Sequence, residues 1–247
     1  MNTVRKCCAR ETLIVQYITI KKALYEQIEA GMLQPGFRLP AERQLAEMFS
    51  TTRVTLREAL ALLEADGVIY REDRRGWFVS PPPLIYDPSK PVSLRELAER
   101  QNRKAKTIVI EARKMLADKT ATQILTLPPM QEIYRIERVY ELDGRPVCAV
   151  THYIRKDIFP GLLDLDLTQP MADTFGNHFD LAYASTRYTI ANTSLIENRA
   201  AVLHATDGTP AMHIQRINAD QHGRIIEGVV EHWRHDAISI ESEVQFS

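Results

Sequence analysis

The sequence has little that would place it outside a reducing compartment. Its 247 residues include three cysteines, Cys7, Cys8 and Cys148. So sparse and odd a count argues against a disulfide framework. Cys7 and Cys8 are adjacent, which suits neither a CxxC zinc pair nor a redox pair, so both read as reduced thiols. No apolar run is long enough to span a bilayer. Met1 to Arg10 carries basic residues with no apolar segment and cleavage site behind them, so no secretory signal is expected and the cytoplasm is the expected compartment. Net charge is also missing: 31 Lys and Arg face 32 Asp and Glu, for a balance of -1. The whole chain therefore carries no nucleic-acid signature, and any basic footprint must be local. GxSxG, P-loop and HExxH motifs are absent, as are repeats and low-complexity tracts.

What is present divides into two parts. Hydrophobic residues make up 45% and charged residues 26%, an ordinary globular mixture. Pro81, Pro82 and Pro83 follow a strand-like run, and Pro88 and Pro91 come soon after. Proline neither donates to a ladder nor continues a helix, so residues 81–92 read as a semi-rigid linker. That gives an N-terminal domain over 1–80 and a C-terminal domain over 93–247.

The N-terminal part reads as three helices and a hairpin. Tyr17, Ile20, Leu24, Ile28 and Leu33 form the stripe of a first helix, ended near Gly31. A second opens at Leu39-Pro40-Ala41-Glu42 and buries Leu45, Met48 and Phe49. After Ser50 to Arg53, a third runs from Val54 to Ala65, with Leu56, Ala59, Leu60 and Leu63 inward and Gly67 at its end. Val68 to Tyr70 and Trp77 to Val79 are strands, joined by a turn in which Gly76 can take positive φ. Two short helices and a hairpin are the parts of a winged helix-turn-helix. The second helix of such a pair presents its N-terminal side chains to the major groove. Here that end carries Thr52, Arg53, Thr55 and Arg57. Arg53 and Arg57 share a face, and an arginine can give two hydrogen bonds to guanine. Threonine can contact phosphate or a thymine methyl. Arg43 lies on the preceding helix, and Arg74 and Arg75 sit at the hairpin tip, where a wing meets phosphates or the minor groove. A solvated helix face would also look like this, and the shape alone does not make a DNA-binding protein.

The C-terminal part alternates with a period of two. Strands are expected over 109–113, 132–142, 147–154, 211–218, 228–234 and 238–244, with hairpin turns at Asp143-Gly144 and His222-Gly223. Helices are expected over 93–103, 118–125 and 198–204. The expected fold is α+β, an antiparallel sheet with helices packed on it. Catalysis and ligand binding compete as readings. For catalysis, no nucleophile stands beside a base. His232 and His235 lie three apart in a strand-like run and would face opposite ways, so no metal site and no cofactor is expected. Asp164 and Asp166 alternate with leucines as a turn-rich surface. For binding, Arg138 lies on a strand, Glu227 near another, and Ser93 can cap a helix. A helix start beside an arginine suits an anion, although an ordinary salt bridge and an ordinary cap would look the same.

The run from Leu39 to Val79, LPAERQLAEMFSTTRVTLREALALLEADGVIYREDRRGWFV, resembles the DNA-binding domain of the GntR family of bacterial regulators. That resemblance implies homodimers on palindromic operators, with Arg43, Arg53 and Arg57 reading or clamping the DNA, Thr55 supporting them, and Gly76 shaping the wing. Val54 stands where some relatives carry a polar residue. RIERVYELDGRPVCAVTHYI, FPGL and ADQHGRIIEGVVEHWRHD resemble the UTRA effector domain of the HutC branch, from Ser93 onward. This implies a chorismate-lyase-like sheet that binds small metabolites such as sugar phosphates, amino acids or phosphonates. In it Ser93, Arg138, Glu227 and Trp233 fall at ligand-contacting positions. Tyr140, Val150 and Pro170 replace an arginine, a glutamate and a serine of the sugar-phosphate-sensing relatives. DRRGWFV, DQHGR and EHWRHD look most like regulators of 2-aminoethylphosphonate breakdown. The expectation is a non-enzymatic, ligand-responsive repressor of a catabolic operon. A sensor of a sugar phosphate or amino-acid-derived metabolite, an enzyme fused to a DNA-binding domain, and a DNA-binding protein without effector are the other readings.

Overall fold

The computed structural model describes residues 2–90 and 92–243, with side chains from residue 16 onward. It divides into two compact units, 1–83 and 84–247. The thiols of Cys7 and Cys8 lie outside the described side chains, and Cys148 is buried.

The first unit contains α1 (Asn2–Glu29), α2 (Glu42–Met48), α3 (Arg53–Ala65), β1 (Ile69–Glu72) and β2 (Gly76–Val79). Helix α3 forms where the pattern is strongest. Leu56, Ala59, Leu60 and Leu63 recur on one face and are all fully buried. Thr52 caps its start, its Oγ accepting from the Thr55 amide at 3.2 Å. The buried stripe packs with Ile20 and Leu24 of α1, Leu45 of α2, and Ile69, Trp77 and Val79 of the hairpin. Strands β1 and β2 pair antiparallel, with Tyr70 stacked on Phe78.

The second unit contains β3 (Leu84–Tyr86), α4 (Leu94–Arg100), β4 (Ala105–Leu116), α5 (Lys119–Leu125), β5 (Glu132–Leu142), β6 (Arg145–Arg155), α6 (Met171–Phe179), β7 (Ser185–Ser194), α7 (Glu197–Val202), β8 (Pro210–Ala219), β9 (Ile225–Arg234) and β10 (Ile238–Ile240). Six strands form an antiparallel sheet in the order β4-β5-β6-β9-β8-β7. The register fixes which residues share a face, because side chains alternate along a strand. Arg138 pairs across to Val150, Val150 to Glu231, and Glu231 to Ile214. One face therefore presents Arg138, Tyr140, His152, Glu227, Glu231, Trp233, Arg216 and Asn218 together. Helix α5 packs closely on β9 at Gly228.

The structure corrects several expectations, among them the burial of Met48, which is 71% exposed. The span 81–92 is not all linker: Leu84–Tyr86 is a strand, parallel to β10, and Leu84 is fully buried. Between Pro83 and Pro88, the three residues Leu84 to Tyr86 keep their amides and carry apolar side chains, so a short ladder is still available to them. The strand expected over 238–244 ends at Ile240, and Val244 lies outside the described residues. His235 lies in a 3-10 turn, not a strand, so the two-face argument does not apply to it. Helix α6 and strand β7 were not expected at all.

Candidate effector pocket and nucleic-acid interface

The basic residues of the first unit differ in how firmly the fold holds them. Arg53 opens α3, is exposed, and makes no hydrogen bond or ion pair among the described residues. Arg57 is tied down. Its Nε lies 2.7 Å from the Glu42 carboxylate, whose other oxygen accepts from Trp77 Nε1 at 3.2 Å. One carboxylate thus joins α2, α3 and the hairpin. Burial alone would raise the Glu42 pKa, and the bonds from Arg57 and Trp77 outweigh it and hold the group below the usual range. Arg43 lies 3.7 Å from Glu47 on α2. Thr52 is exposed, but Thr55 is 1% exposed and its hydroxyl lies 3.0 Å from that of Thr52. Thr55 is thus turned inward, where it bonds to the cap residue Thr52. In the hairpin, Arg75 is anchored to Glu72 at 2.5 Å and lies over the Phe78 ring. Arg74 at the tip is almost wholly exposed and takes positive φ, as does Gly76 at +101°. Val54 adds an apolar side chain, 68% exposed, beside Arg53.

In the second unit, a cavity of about 300 Å³ lies on the polar face of the sheet and is bordered by the start of α4 and the start of α6. Ser93, Arg138, Glu227 and Trp233 all line it. Their chemistry differs from the expectation. Arg138 is 3% exposed, and every one of its nitrogens has a partner. Nε and Nη2 meet His152 Nε2 at 3.1 and 2.6 Å; Nη1 donates to the carbonyls of Leu167 and Gln169 at 3.1 and 2.9 Å; and Nη2 also reaches the Tyr140 hydroxyl at 3.3 Å. His152 Nε2 accepts from Arg138, so its proton sits on Nδ1, which donates to Glu227 at 2.7 Å. Burial, then the Arg138 charge, pushes the His152 pKa down to about 4, so the ring is neutral near pH 7.

Glu227 is just as fully engaged. Beyond His152 it accepts from the Tyr183 hydroxyl at 2.5 Å and from Asn218 Nδ2 at 2.7 Å. Burial works against its charge, yet these donors hold its pKa below the ordinary carboxylate range. Burial and the Glu227 charge in turn push the Tyr183 hydroxyl up. Trp233 donates its indole N–H to Glu231 at 2.9 Å. Ser93 accepts from the Glu96 amide at 3.2 Å as the cap of α4. Sequence reasoning missed His152, Tyr183, Arg216, Asn218 and Glu231. The available signal was a charge amid apolar neighbours in a strand, as in IQRIN and VVEHW, with Glu227 and Glu231 four apart on one face.

The family model for bacterial regulatory proteins of the gntR family matches residues 16–79, and that for the UTRA domain matches residues 100–239. The chain belongs to the GntR family, in the branch that carries a UTRA domain. Among curated relatives, the HTH-type transcriptional regulator YihL of Escherichia coli (strain K12) is 28% identical over 221 residues, 89% of this chain and 94% of that one. The HTH-type transcriptional repressor NagR of Bacillus subtilis (strain 168) is 25% identical over 227 residues, 92% and 93% of the two chains. The structure of PhnF from Mycobacterium smegmatis matches with a TM-score of 0.65 and 25% identity, over 92% of this GntR regulator and 99% of that chain. Among the described residues, no helix is long and apolar enough to cross a membrane.

Proposed function

We propose that this regulator is a homodimeric, cytoplasmic repressor of a catabolic operon, which releases its operator when a small anionic metabolite fills the pocket of its UTRA domain. The observation that carries the reading is the cavity itself: a charged and largely prebuilt site, in the same chain as a GntR winged helix. Arg53 is the first base reader, since it is exposed and unengaged at the N-terminus of α3. Arg43, Thr52 and Arg57 approach the backbone or base edges from the same helix pair, and Arg75 and Gly76 set the wing. Repression is supported by the relatives named as repressors. A phosphonate, 2-aminoethylphosphonate in particular, is supported by the resemblance of the DRRGWFV, DQHGR and EHWRHD stretches to regulators of its breakdown. The relatives described above are named as transcriptional regulators, which supports a pocket that serves recognition.

Release needs linkage: the metabolite must bind more tightly to the state that fits DNA poorly. The test is fluorescence anisotropy of the protein on its own upstream DNA, with and without 2-aminoethylphosphonate. Salt-dependent, sequence-specific binding that the compound weakens supports the proposal. Specific binding that the compound leaves unchanged removes the phosphonate and keeps the regulator. Absence of specific binding removes both.

A further inference from the structure

We propose that Arg216, held by Glu231, anchors the effector's acid group, and that the effector is a small zwitterion bearing an ammonium as well. This rests on the regulator reading above and names the ligand class of the same pocket. Arg138 cannot accept a new anion without giving up bonds, because all its nitrogens are engaged and it is 3% exposed. Arg216 differs. It lines the same cavity from β8, and 24% of its side chain is accessible. It makes one ion pair, from Nη2 to Glu231, and its buried Nε has no acceptor among the described residues. Glu231 is fixed in turn by the Trp233 indole. The guanidinium is therefore positioned by one carboxylate and still has donors to offer, as a charge-assisted contact to an incoming acid requires.

The charge balance sets the ligand class. Of the lining charges, Arg138 and Arg216 stand against Glu227 and Glu231 inside the cavity, and His152 stays neutral; Arg95, Glu96 and Asp173 are exposed, and Glu96 is paired with Arg100. Charges in so enclosed a space are tolerated when paired. A dianion without a cation would upset that balance. A ligand bearing both signs leaves it unchanged and places its ammonium among the carboxylates. Asp173, exposed in the first turn of α6 with no partner among the described residues, has open acceptors for it. The cavity's 300 Å³ lies at the small end of ligand sites and suits a compact molecule.

The test is calorimetric titration of the full chain with matched probes. 2-Aminoethylphosphonate, taurine and β-alanine carry both charges; ethylphosphonate and inorganic phosphate lack the ammonium; ethanolamine lacks the acid. The expected result is binding by at least one zwitterion, at least tenfold tighter than by any probe with a single sign of charge. The paired substitution Arg216→Gln with Glu231→Gln removes both charges at nearly constant shape. In a variant that still melts cooperatively, it should weaken the zwitterion at least tenfold. Ethylphosphonate or phosphate binding as tightly as 2-aminoethylphosphonate would overturn the ligand class. An unweakened paired variant would overturn the role of Arg216. If that variant fails to fold, Arg216→Lys, which keeps the charge beside Glu231 and loses the guanidinium donors, takes its place: at least tenfold weaker zwitterion binding is expected, and unweakened binding overturns the role of Arg216. If no probe binds while upstream DNA does, the class is wrong and the regulator reading stands. If DNA binding fails too, the regulator reading falls.

Discussion

Replacing His152 by Gln should make the protein less sensitive to acid. In the native fold His152 Nε2 accepts from Arg138, and a second ring proton would point at that guanidinium. Burial and the Arg138 charge hold the ring's pKa near 4, against about 6.5 for the unfolded chain. The sign follows directly. Above pH 6.5 neither state binds the proton, and the neutral ring contributes its full stability. Below that the unfolded chain takes up a proton that the native state refuses until about 4, so stability falls through that window. Between pH 7 and pH 5 the loss from this one residue is about 2 kcal/mol. His232, also pushed down to about 4 by burial, then by the Arg199 charge, adds to the acid sensitivity of the natural chain. The comparison must therefore be a difference. A glutamine at position 152 can accept from Arg138 and donate to Glu227 without titrating. Urea unfolding of both chains at pH 5, 6 and 7 should show His152→Gln losing about 2 kcal/mol less than the natural protein over that range. Parallel pH profiles for the two chains would refute the neutral-ring assignment.

Two further outcomes are expected. Arg53→Ala should weaken operator binding by about 1–3 kcal/mol in an anisotropy titration and leave the melting temperature unchanged, since the side chain is exposed and unpaired; intact affinity would remove Arg53 from the interface. Gly228→Ala places a Cβ 2.0 Å from Ile124 Cγ2 and should destabilise the effector domain by about 1–3 kcal/mol, with partial recovery when Ile124→Ala is added; an unchanged melt would mean that α5 does not pack on β9 as described.

How much was legible depends on where each segment sits. Strand β5 was read to its ends, Glu132 and Leu142, because both its faces are buried and the Asp143-Gly144 turn stops it sharply. Helix α3 was equally clear, since its apolar face repeats without interruption. Strand β7 was missed because it is an edge: most of its side chains face solvent, so STRYTIANTS has no apolar alternation to read. Helix α6 is nine residues with Gly176 inside it, too short a stripe to stand out. In the pocket, Arg138 and Glu227 both line the cavity. That their bonds are already taken depends on His152, Tyr183 and Asn218, which only the register of β6, β9 and β8 brings to one face. Arg216 reads in sequence as any surface arginine until that register turns it toward Glu231.

The parallel pairing of β3 with β10 has a practical consequence for dissecting the molecule. The effector domain begins and ends on the same two-stranded patch, Leu84 against Ile238 and Tyr86 against Ile240. Leu84 and Tyr86 also wall the cavity. A fragment started at Ser93, where motif reading alone would start it, would strip a buried leucine from the core and open one side of the binding chamber. Removing the chain from Ile238 onward would do the same damage from the other terminus. The minimal autonomous sensor therefore runs at least from Leu84 to Ile240, and its first residues lie next to the proline segment through which it is joined to the DNA-binding domain.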